Sequence, residues 1–242
     1  MKASPSDQIA ILEVQKLDNQ LASLAQREAT LPETQALSSV TIKRNNVRDL
    51  RVAAETERTD VKRELSRAEG DVEQIVTRIT RDETRLSGGS ASPKELEQLQ
   101  HEVGTLNARR AELEEVELEI MMRVDEIKAR ITDLQNQEAD FTAQINDLNI
   151  RKENALAKIN GELESIAKER SETLASVSGE FVALYEKIRA SNNGTGAAAL
   201  VAGACTGCHL SINTVELKRI AELADDEVVR CEECRCILVR GA

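Results

Sequence analysis

Four cysteines near the end of the chain have the types and spacing of a metal site. They form two C-x-x-C pairs, "CTGC" at Cys205 and Cys208 and "CEEC" at Cys231 and Cys234. Two such turns offer four thiolates that can converge tetrahedrally, the closed all-sulfur shell that zinc takes in structural sites. We therefore predict that these four cysteines bind one structural zinc ion.

Two other chemistries use the same ligands, an iron–tetrathiolate electron carrier and a dithiol redox switch. The fifth cysteine, Cys236, begins the apolar run "ILV" and is predicted to remain a free thiol. His209 directly follows Cys208, and adjacent side chains rarely reach one tetrahedral ion, so we predict an exposed histidine that is not a ligand. His101 is predicted to be solvated.

The sequence offers no constellation for catalysis. A closed metal shell leaves no open coordination position for a substrate. The "SGGS" segment lacks the lysine and the preceding strand of a phosphate-binding loop. Because no Ser-His-Asp or Cys-His arrangement is evident either, we predict that the protein is not an enzyme.

Composition and charge limit the partners. The 242 residues include no Trp, one Tyr and two Phe, with 31% charged residues and a net charge of −11. Such a chain repels nucleic-acid backbone and anionic membrane surfaces in bulk. The beginning of the chain lacks the apolar segment of a secretory signal, and no apolar run approaches the length of a membrane span. A cytoplasmic location and no membrane partner are therefore predicted.

The elements before the cysteines are long helices. Apolar residues recur in steps of three and four from Leu96 to Leu148, interrupted by Arg110, Glu117 and Glu138. A sustained repeat of this period indicates a left-handed coiled coil. A weaker repeat runs from Val47 to Leu86, with charged residues at three of its seam positions, namely Glu57, Glu64 and Asp82.

The first helix has a clear beginning and an interruption. Ser4 can cap it, with a proline in the next position. Pro32 is predicted to kink or restart the helix, and Thr30 with Glu33 offers a capping box at that point.

The second arm has corresponding signals. Ser92 and Glu95 offer a capping box around Pro93 at its start. Gly161 and Gly179 are predicted to bend this arm or to break it into segments.

These signals predict a mainly α fold, a long antiparallel coiled-coil helical hairpin followed by a small C-terminal zinc ribbon. The hairpin covers residues 1–190, with its tip at 87–92 and a kink near residue 32. A short loop makes antiparallel neighbours of the helices that it joins. A parallel homodimer is the alternative, and we expect a monomer or a weak homodimer.

The ribbon covers 197–242, where strand-like pieces flank one short helix. A domain of that size depends on metal for much of its folding energy.

Three segments carry a family resemblance. "SPKELEQLQHEV" after the hairpin tip, "GACTGCHL" and "CEECRCILVR" resemble the bacterial four-cysteine zinc-ribbon/coiled-coil family, long catalogued as a domain of unknown function. The resemblance covers nearly the whole chain and implies zinc on the four paired cysteines. It also implies a nucleic-acid-binding or adaptor role. For members of this family in some bacteria, the partners are an alternative sigma factor and components of flagellar or secretion machinery.

One position departs from the family pattern. Such ribbons usually follow the second cysteine pair with glycine, which suits a left-handed turn. This chain has Arg235 and then Cys236. Either Arg235 is strained by about 1 kcal/mol or the turn differs. Cys236 could also replace Cys234 in the shell, although the first pair and Cys231 favour Cys234.

The favoured function is a zinc-binding adaptor with protein partners of unknown identity. The alternative is nucleic-acid binding, for which the ribbon has five basic against seven acidic residues. Neutralising phosphates would require a better patch. The candidate patch lies in "IKRNNVRDLR" and comprises Lys43, Arg44, Arg48 and Arg51. A hairpin factor of the RNA polymerase secondary channel would require acidic residues at the tip, and "LSGGSASPK" has none.

Overall fold

The computed structural model describes residues 1–89 and 92–241. Helices dominate up to residue 191, and short strands follow. In the described part of the chain the helices are α1 Pro5–Ala29, α2 Pro32–Ser87, α3 Pro93–Ala175, α4 Gly179–Ser191 and α5 Thr214–Glu222, and the strands are β1 Ala197–Val201, β2 Ala204–Cys205, β3 Val229–Arg230 and β4 Ile237–Val239.

The chain divides into two compact units. The ribbon unit comprises residues 1–34 and 150–242, so that α1 belongs with the ribbon. The arm comprises residues 35–149. The predicted domain limits, 1–190 and 197–242, remain a prediction.

The arm is an antiparallel helix pair. Ion pairs join α2 to α3. As the residue number in α2 rises, the residue number of its partner in α3 falls. The series runs Arg51–Glu138, Glu57–Arg130, Glu64–Arg123 and Arg78–Glu102. The buried seam contains Ala54, Val61 and Ala68, spaced by seven residues as in a coiled coil. The predicted antiparallel hairpin is therefore confirmed.

Three charged residues predicted in the α2 seam differ in their surroundings. Glu57 and Glu64 are exposed and flank the seam, where each pairs with an arginine of α3. For these two residues the seam prediction is wrong, because the half-buried positions are one residue further along the helix, at Arg58 and Leu65. Asp82 is buried.

The ribbon unit contains a second antiparallel pair, α1 against the last part of α3. Arg27 pairs with Glu162, and Asp18 pairs with Arg170. Buried Leu24, Leu31 and Ile159 form the apolar contact between these helices.

Most predicted helix ends of this unit are confirmed. The Ser4 hydroxyl accepts a hydrogen bond from the Asp7 N–H at 3.1 Å, and the helix is interrupted between α1 and α2. The Thr30–Glu33 capping box is wrong, because the Thr30 hydroxyl donates to the Gln26 carbonyl at 2.8 Å. Gly161 breaks nothing, since α3 continues through it, whereas Gly179 opens α4 after a break.

The predicted tip at 87–92 lies partly outside the described residues, which omit Ser90 and Ala91. The capping box after it is confirmed: the Ser92 N–H donates to Glu95 Oε2 at 2.8 Å, and Glu95 N–H donates to Ser92 Oγ at 3.5 Å. These hydrogen bonds hold the pKa of Glu95 below its usual range.

The predicted small ribbon is confirmed by a sheet whose described strands are ordered β2-β1-β4-β3. Strand β1 pairs antiparallel with β2 and parallel with β4, and β3 pairs antiparallel with β4. The Arg240 guanidinium donates to four backbone carbonyls at the end of α5 and just beyond it, those of Ile220, Leu223, Ala224 and Glu227.

Within the described residues, no helix is both long enough and apolar enough to cross a membrane.

Candidate metal centre

Two turns of equivalent geometry present the paired cysteines. In the first, the His209 N–H donates to the Cys205 carbonyl at 2.8 Å. In the second, the Arg235 N–H donates to the Cys231 carbonyl at 3.0 Å. Each turn therefore closes over its own C-x-x-C pair through a backbone hydrogen bond.

The residue that closes each turn is left-handed. Arg235 has φ 62°, as the family pattern of glycine at this position predicts, and His209 has φ 60°. Both residues carry a Cβ in a region that favours glycine, which costs about 1 kcal/mol. The Arg235 carbonyl accepts from Arg230 Nε at 2.9 Å and so supports its turn. The strain at His209 was missed, although its place after Cys208 matches that of Arg235 after Cys234.

The four paired thiols come together. The sulfur atoms of Cys205, Cys208, Cys231 and Cys234 all lie within 4.8 Å of one another. The Cys205–Cys234 and Cys208–Cys231 sulfur distances are 3.9 Å and 3.8 Å. A tetrahedral zinc with Zn–S bonds of about 2.3 Å requires edges of about 3.8 Å. The thiols therefore fit one zinc ion, and the site is compatible with a structural zinc.

The fifth thiol lies against this group. Cys236 is fully buried, with its sulfur 3.1 Å from that of Cys234 and 3.7 Å from that of Cys205. Its carbonyl accepts from the Cys231 N–H at 3.0 Å, just before β4 begins. His209 is exposed, as is His101.

The thiols lie in an apolar environment. Burial raises the pKa of Cys234 to about 11 and raises the pKa of Cys236 as well. Desolvation disfavours the thiolate, so a thiolate cluster here requires a cation to stabilise it.

The core beneath the site is not made by the ribbon alone. Phe181 and Tyr185 of α4, together with Ile11 and Val14 of α1, pack with the sheet in one apolar cluster. Gly196 permits this packing, because a Cβ on it would lie 2.5 Å from the Tyr185 ring. Both aromatic side chains of this core therefore come from the helix that precedes the ribbon.

A buried polar network joins α1 to the start of the sheet. Gln15 Oε1 accepts from the Gly196 N–H at 2.6 Å and from the Ala197 N–H at 3.1 Å, and it also accepts from the Tyr185 hydroxyl at 3.3 Å. The Tyr185 hydroxyl lies 2.6 Å from Asp18 Oδ2.

Asp18 is the centre of this network. It accepts from Arg170 Nε at 2.7 Å, and its Oδ1 lies 3.1 Å from Arg189 Nη1. Burial and the Asp18 hydrogen bond raise the pKa of Tyr185 far above its usual value. Sequence patterns missed this network, because its bonds to Gln15 and Asp18 come from residues more than 150 positions further along the chain.

Three of the four residues of the candidate nucleic-acid patch are engaged within the protein. Arg51 pairs with Glu55 and Glu138, both at less than 3 Å. Arg48 pairs with Asp49 at 3.2 Å, and Arg44 donates to Asn45 at 3.0 Å. Lys43 is exposed on the same helix.

Two family models match the chain. A CT398-like coiled coil hairpin domain matches residues 14–193. A C4-type zinc ribbon domain matches residues 204–238 and includes all five cysteines.

Similar proteins align over nearly the full length. A protein of Mycobacterium tuberculosis described as uncharacterized is 36% identical over 248 residues, covering 99% of this chain and 98% of that protein. A solved structure from Mycobacterium smegmatis is 31% identical, with a TM-score of 0.86 and coverage of 99% and 100% of the two chains. CT398 from Chlamydia trachomatis is 19% identical, with a TM-score of 0.66 and 97% coverage of each chain, and shows the same fold.

The hairpin model alone matches well over half of the chain. The four clustered thiols lie in the segment that the ribbon model matches. The chain therefore belongs to the family of CT398-like coiled-coil hairpin proteins, and it carries a C4-type zinc ribbon after the hairpin.

Proposed function

We propose that the protein is a non-enzymatic adaptor whose ribbon is held by one zinc ion on Cys205, Cys208, Cys231 and Cys234, and which binds other proteins. The observation that carries this proposal is the four-thiol cluster, in which all ligand atoms lie within 4.8 Å of one another. Four cysteine ligands complete a tetrahedral shell and leave no position for a substrate. Zinc in this shell stabilises structure.

Protein partners suit the remaining surface better than nucleic acid does. The net charge is −11, and the Arg48 and Arg51 side chains are already paired with carboxylates. Arg240 is one of the five basic residues of the ribbon, and its guanidinium donates hydrogen bonds to backbone carbonyls. Phosphate binding depends on several unpaired cations, and these three side chains are already engaged within the protein. We place this adaptor in the cytoplasm, as a monomer or a weak homodimer.

Affinity purification from the native organism tests the proposal. The tagged full-length protein is compared with the Cys231→Ser variant and with wild type treated with a chelator. We expect specific protein partners that are recovered reproducibly with the zinc-loaded protein, and partners of the ribbon that are lost in both other samples. Recovery of no partner, or of nucleic acid that binds with an affinity falling steeply with salt, would overturn the adaptor proposal.

A further inference from the structure

Three large apolar side chains are exposed together on α3. Leu118, Met121 and Met122 are 57%, 46% and 59% exposed. Steps of three and four residues place side chains on one face of a helix, so these three form one patch, here called the Met121 patch. Its two methionines are the only ones in the chain apart from Met1.

The arm does not use the Met121 patch for its own packing. Ile120, Val124 and Ile127 of the same helix pack in the cluster that contains Ala54 and Val61 of α2. The patch residues are not members of that cluster. Single exposed apolar residues are ordinary on protein surfaces, whereas a contiguous group is typical of interaction sites.

Acidic pairs bound the patch at both ends. Glu114 and Glu115 lie three to four residues before Leu118, and Asp125 and Glu126 lie three to four residues after Met122. Residues 112–126 contain seven acidic residues and one basic residue, a net charge of −6 within a chain of −11. The residues on either side of the patch are therefore strongly acidic.

Part of that charge is neutralised internally. Arg109 and Arg110 pair with Glu112 and Glu114. The one basic residue of the segment, Arg123, pairs with Glu64 of α2. Among the described residues, ion pairs to Glu115, Asp125 and Glu126 are absent, so these carboxylates are available to an external cation.

We propose that the Met121 patch and its acidic ends dock a basic amphipathic helix of a partner protein, an inference that rests on the adaptor function proposed above. Such a helix would place apolar side chains at steps of three and four on the patch, with Lys or Arg about one turn beyond each end. The acidic ends are about 15 Å apart along α3, which corresponds to about ten residues of the partner. Methionine side chains adapt to varied apolar surfaces, and the charges give orientation and a faster encounter.

The test uses the full-length zinc-loaded protein and a fluorescent 18-residue helical peptide of leucine and lysine with one apolar face. A peptide of the same composition in scrambled order controls for charge alone. We expect binding of the amphipathic peptide, with much weaker binding of the scrambled one. The double variant L118Q/M122Q is expected to bind about tenfold more weakly, and L118K/E115K still more weakly.

The matched control is Ile150→Gln, because Ile150 is 59% exposed on the same helix outside the acidic segment. This variant is expected to bind like wild type. Equal binding of both peptides, equal binding by L118Q/M122Q, or an equal loss in Ile150→Gln would overturn the docking surface. A change of self-association in L118Q/M122Q, measured by sedimentation, would also overturn it, because the patch would then cover a second copy. If the peptide test fails while native partners are still recovered, only this surface falls; if no native partner is recovered, the adaptor function itself falls.

Discussion

Two buried aspartates distinguish the ribbon unit from the arm. In the ribbon unit, Asp18 accepts hydrogen bonds from Tyr185 and Arg170 and lies beside Arg189. In the arm, Asp82 is as deeply buried, but its Oδ2 has no hydrogen-bond partner among the described residues. Its Oδ1 accepts from the adjacent Arg81, at 3.3 Å. The Asp18 carboxylate is therefore bonded to side chains of other helices, whereas Asp82 Oδ2 lacks, among the described residues, the hydrogen bonds that usually compensate burial.

The difference indicates two ways of specifying structure. The ribbon unit uses hydrogen bonds and ion pairs that join α1, α3, α4 and the start of the sheet, and its thiol cluster adds a metal site. The arm relies on a narrow apolar seam and on exposed ion pairs, each worth about 0–1 kcal/mol. Its specificity therefore comes from repeat and register, and its surface remains available to partners.

The largest effect is expected from loss of a cysteine ligand, because it should destabilise the ribbon and leave the arm unchanged. The Cys231→Ser variant should hold no zinc, since structural zinc sites depend on the full ligand set and contribute on the order of 10 kcal/mol to folding. Elemental analysis should find one zinc per wild-type chain and almost none in the variant. Hydrogen exchange should show lost protection in residues 197–241 while residues 35–149 remain protected.

The matched control is Cys236→Ser, which changes the neighbouring thiol without touching the proposed shell. It should retain one zinc per chain, because the four paired cysteines remain. A variant that loses its zinc here would mean that Cys236 is a ligand, and retained zinc in Cys231→Ser would contradict the proposed shell.

A large effect is also expected from Asp18→Ala. This change leaves Arg170 and Arg189 in partly buried positions with Glu186 as their common carboxylate partner. Removing one member of a buried ion network costs about 3–5 kcal/mol. Urea unfolding of the ribbon unit, followed by Tyr185 fluorescence, measures this loss.

Asp60→Ala serves as the comparison within the arm. Asp60 pairs with Arg63 at 2.8 Å, and its side chain is 61% exposed. Its removal should change the free energy of unfolding by less than about 1 kcal/mol. Similar losses in the two variants would remove the distinction between the two regions.

Alkaline pH should weaken the ribbon unit through Tyr185. Burial and the nearby Asp18 carboxylate raise its pKa in the folded state, whereas an unfolded tyrosine titrates near pH 10. The stability that this group contributes is therefore complete below about pH 10 and is lost as pH rises further. The chain has one Tyr and no Trp, so tyrosinate absorbance reports this residue alone. We expect the absorbance to rise only with unfolding, well above pH 10, and a simple titration near pH 10 in the folded protein would contradict the buried network.

The sequence predicted local features better than distant ones. The spacing of the paired cysteines indicated the thiol cluster, and Ser92 with Glu95 indicated a helix start, because each signal lies within a few residues. The left-handed Arg235 was one of two alternatives that followed from the position where glycine is usual. Gln15, Asp18 and Tyr185 gave no such signal, because their partners lie in another helix or in the sheet. Arg240 gave no local signal either, and it binds the carbonyls at the end of α5.

An effect opposite in sign to that of Asp18→Ala, and smaller, is expected at the second aspartate. Replacing Asp82 with leucine removes a buried carboxylate whose Oδ2 has no partner. An unsatisfied buried polar group costs about 1–3 kcal/mol, and an apolar side chain of similar size avoids that cost. Asp82→Leu should therefore stabilise the arm, in contrast to the loss expected from Asp18→Ala. Hydrogen exchange of α2 near Ile79 measures the gain locally.

Glu83→Leu provides the control, because Glu83 is adjacent to Asp82 and exposed. It adds a leucine to the same turn without changing the seam, so protection near Ile79 should hardly change. If Asp82→Leu destabilises the arm instead, the carboxylate has a stabilising partner such as a bound ion. Asp82 would then stabilise its unit as Asp18 does. If both leucine variants stabilise equally, helix propensity explains the gain. Only a gain in stability that Asp82→Leu shows and Glu83→Leu does not show supports a buried carboxylate without a compensating partner in the seam.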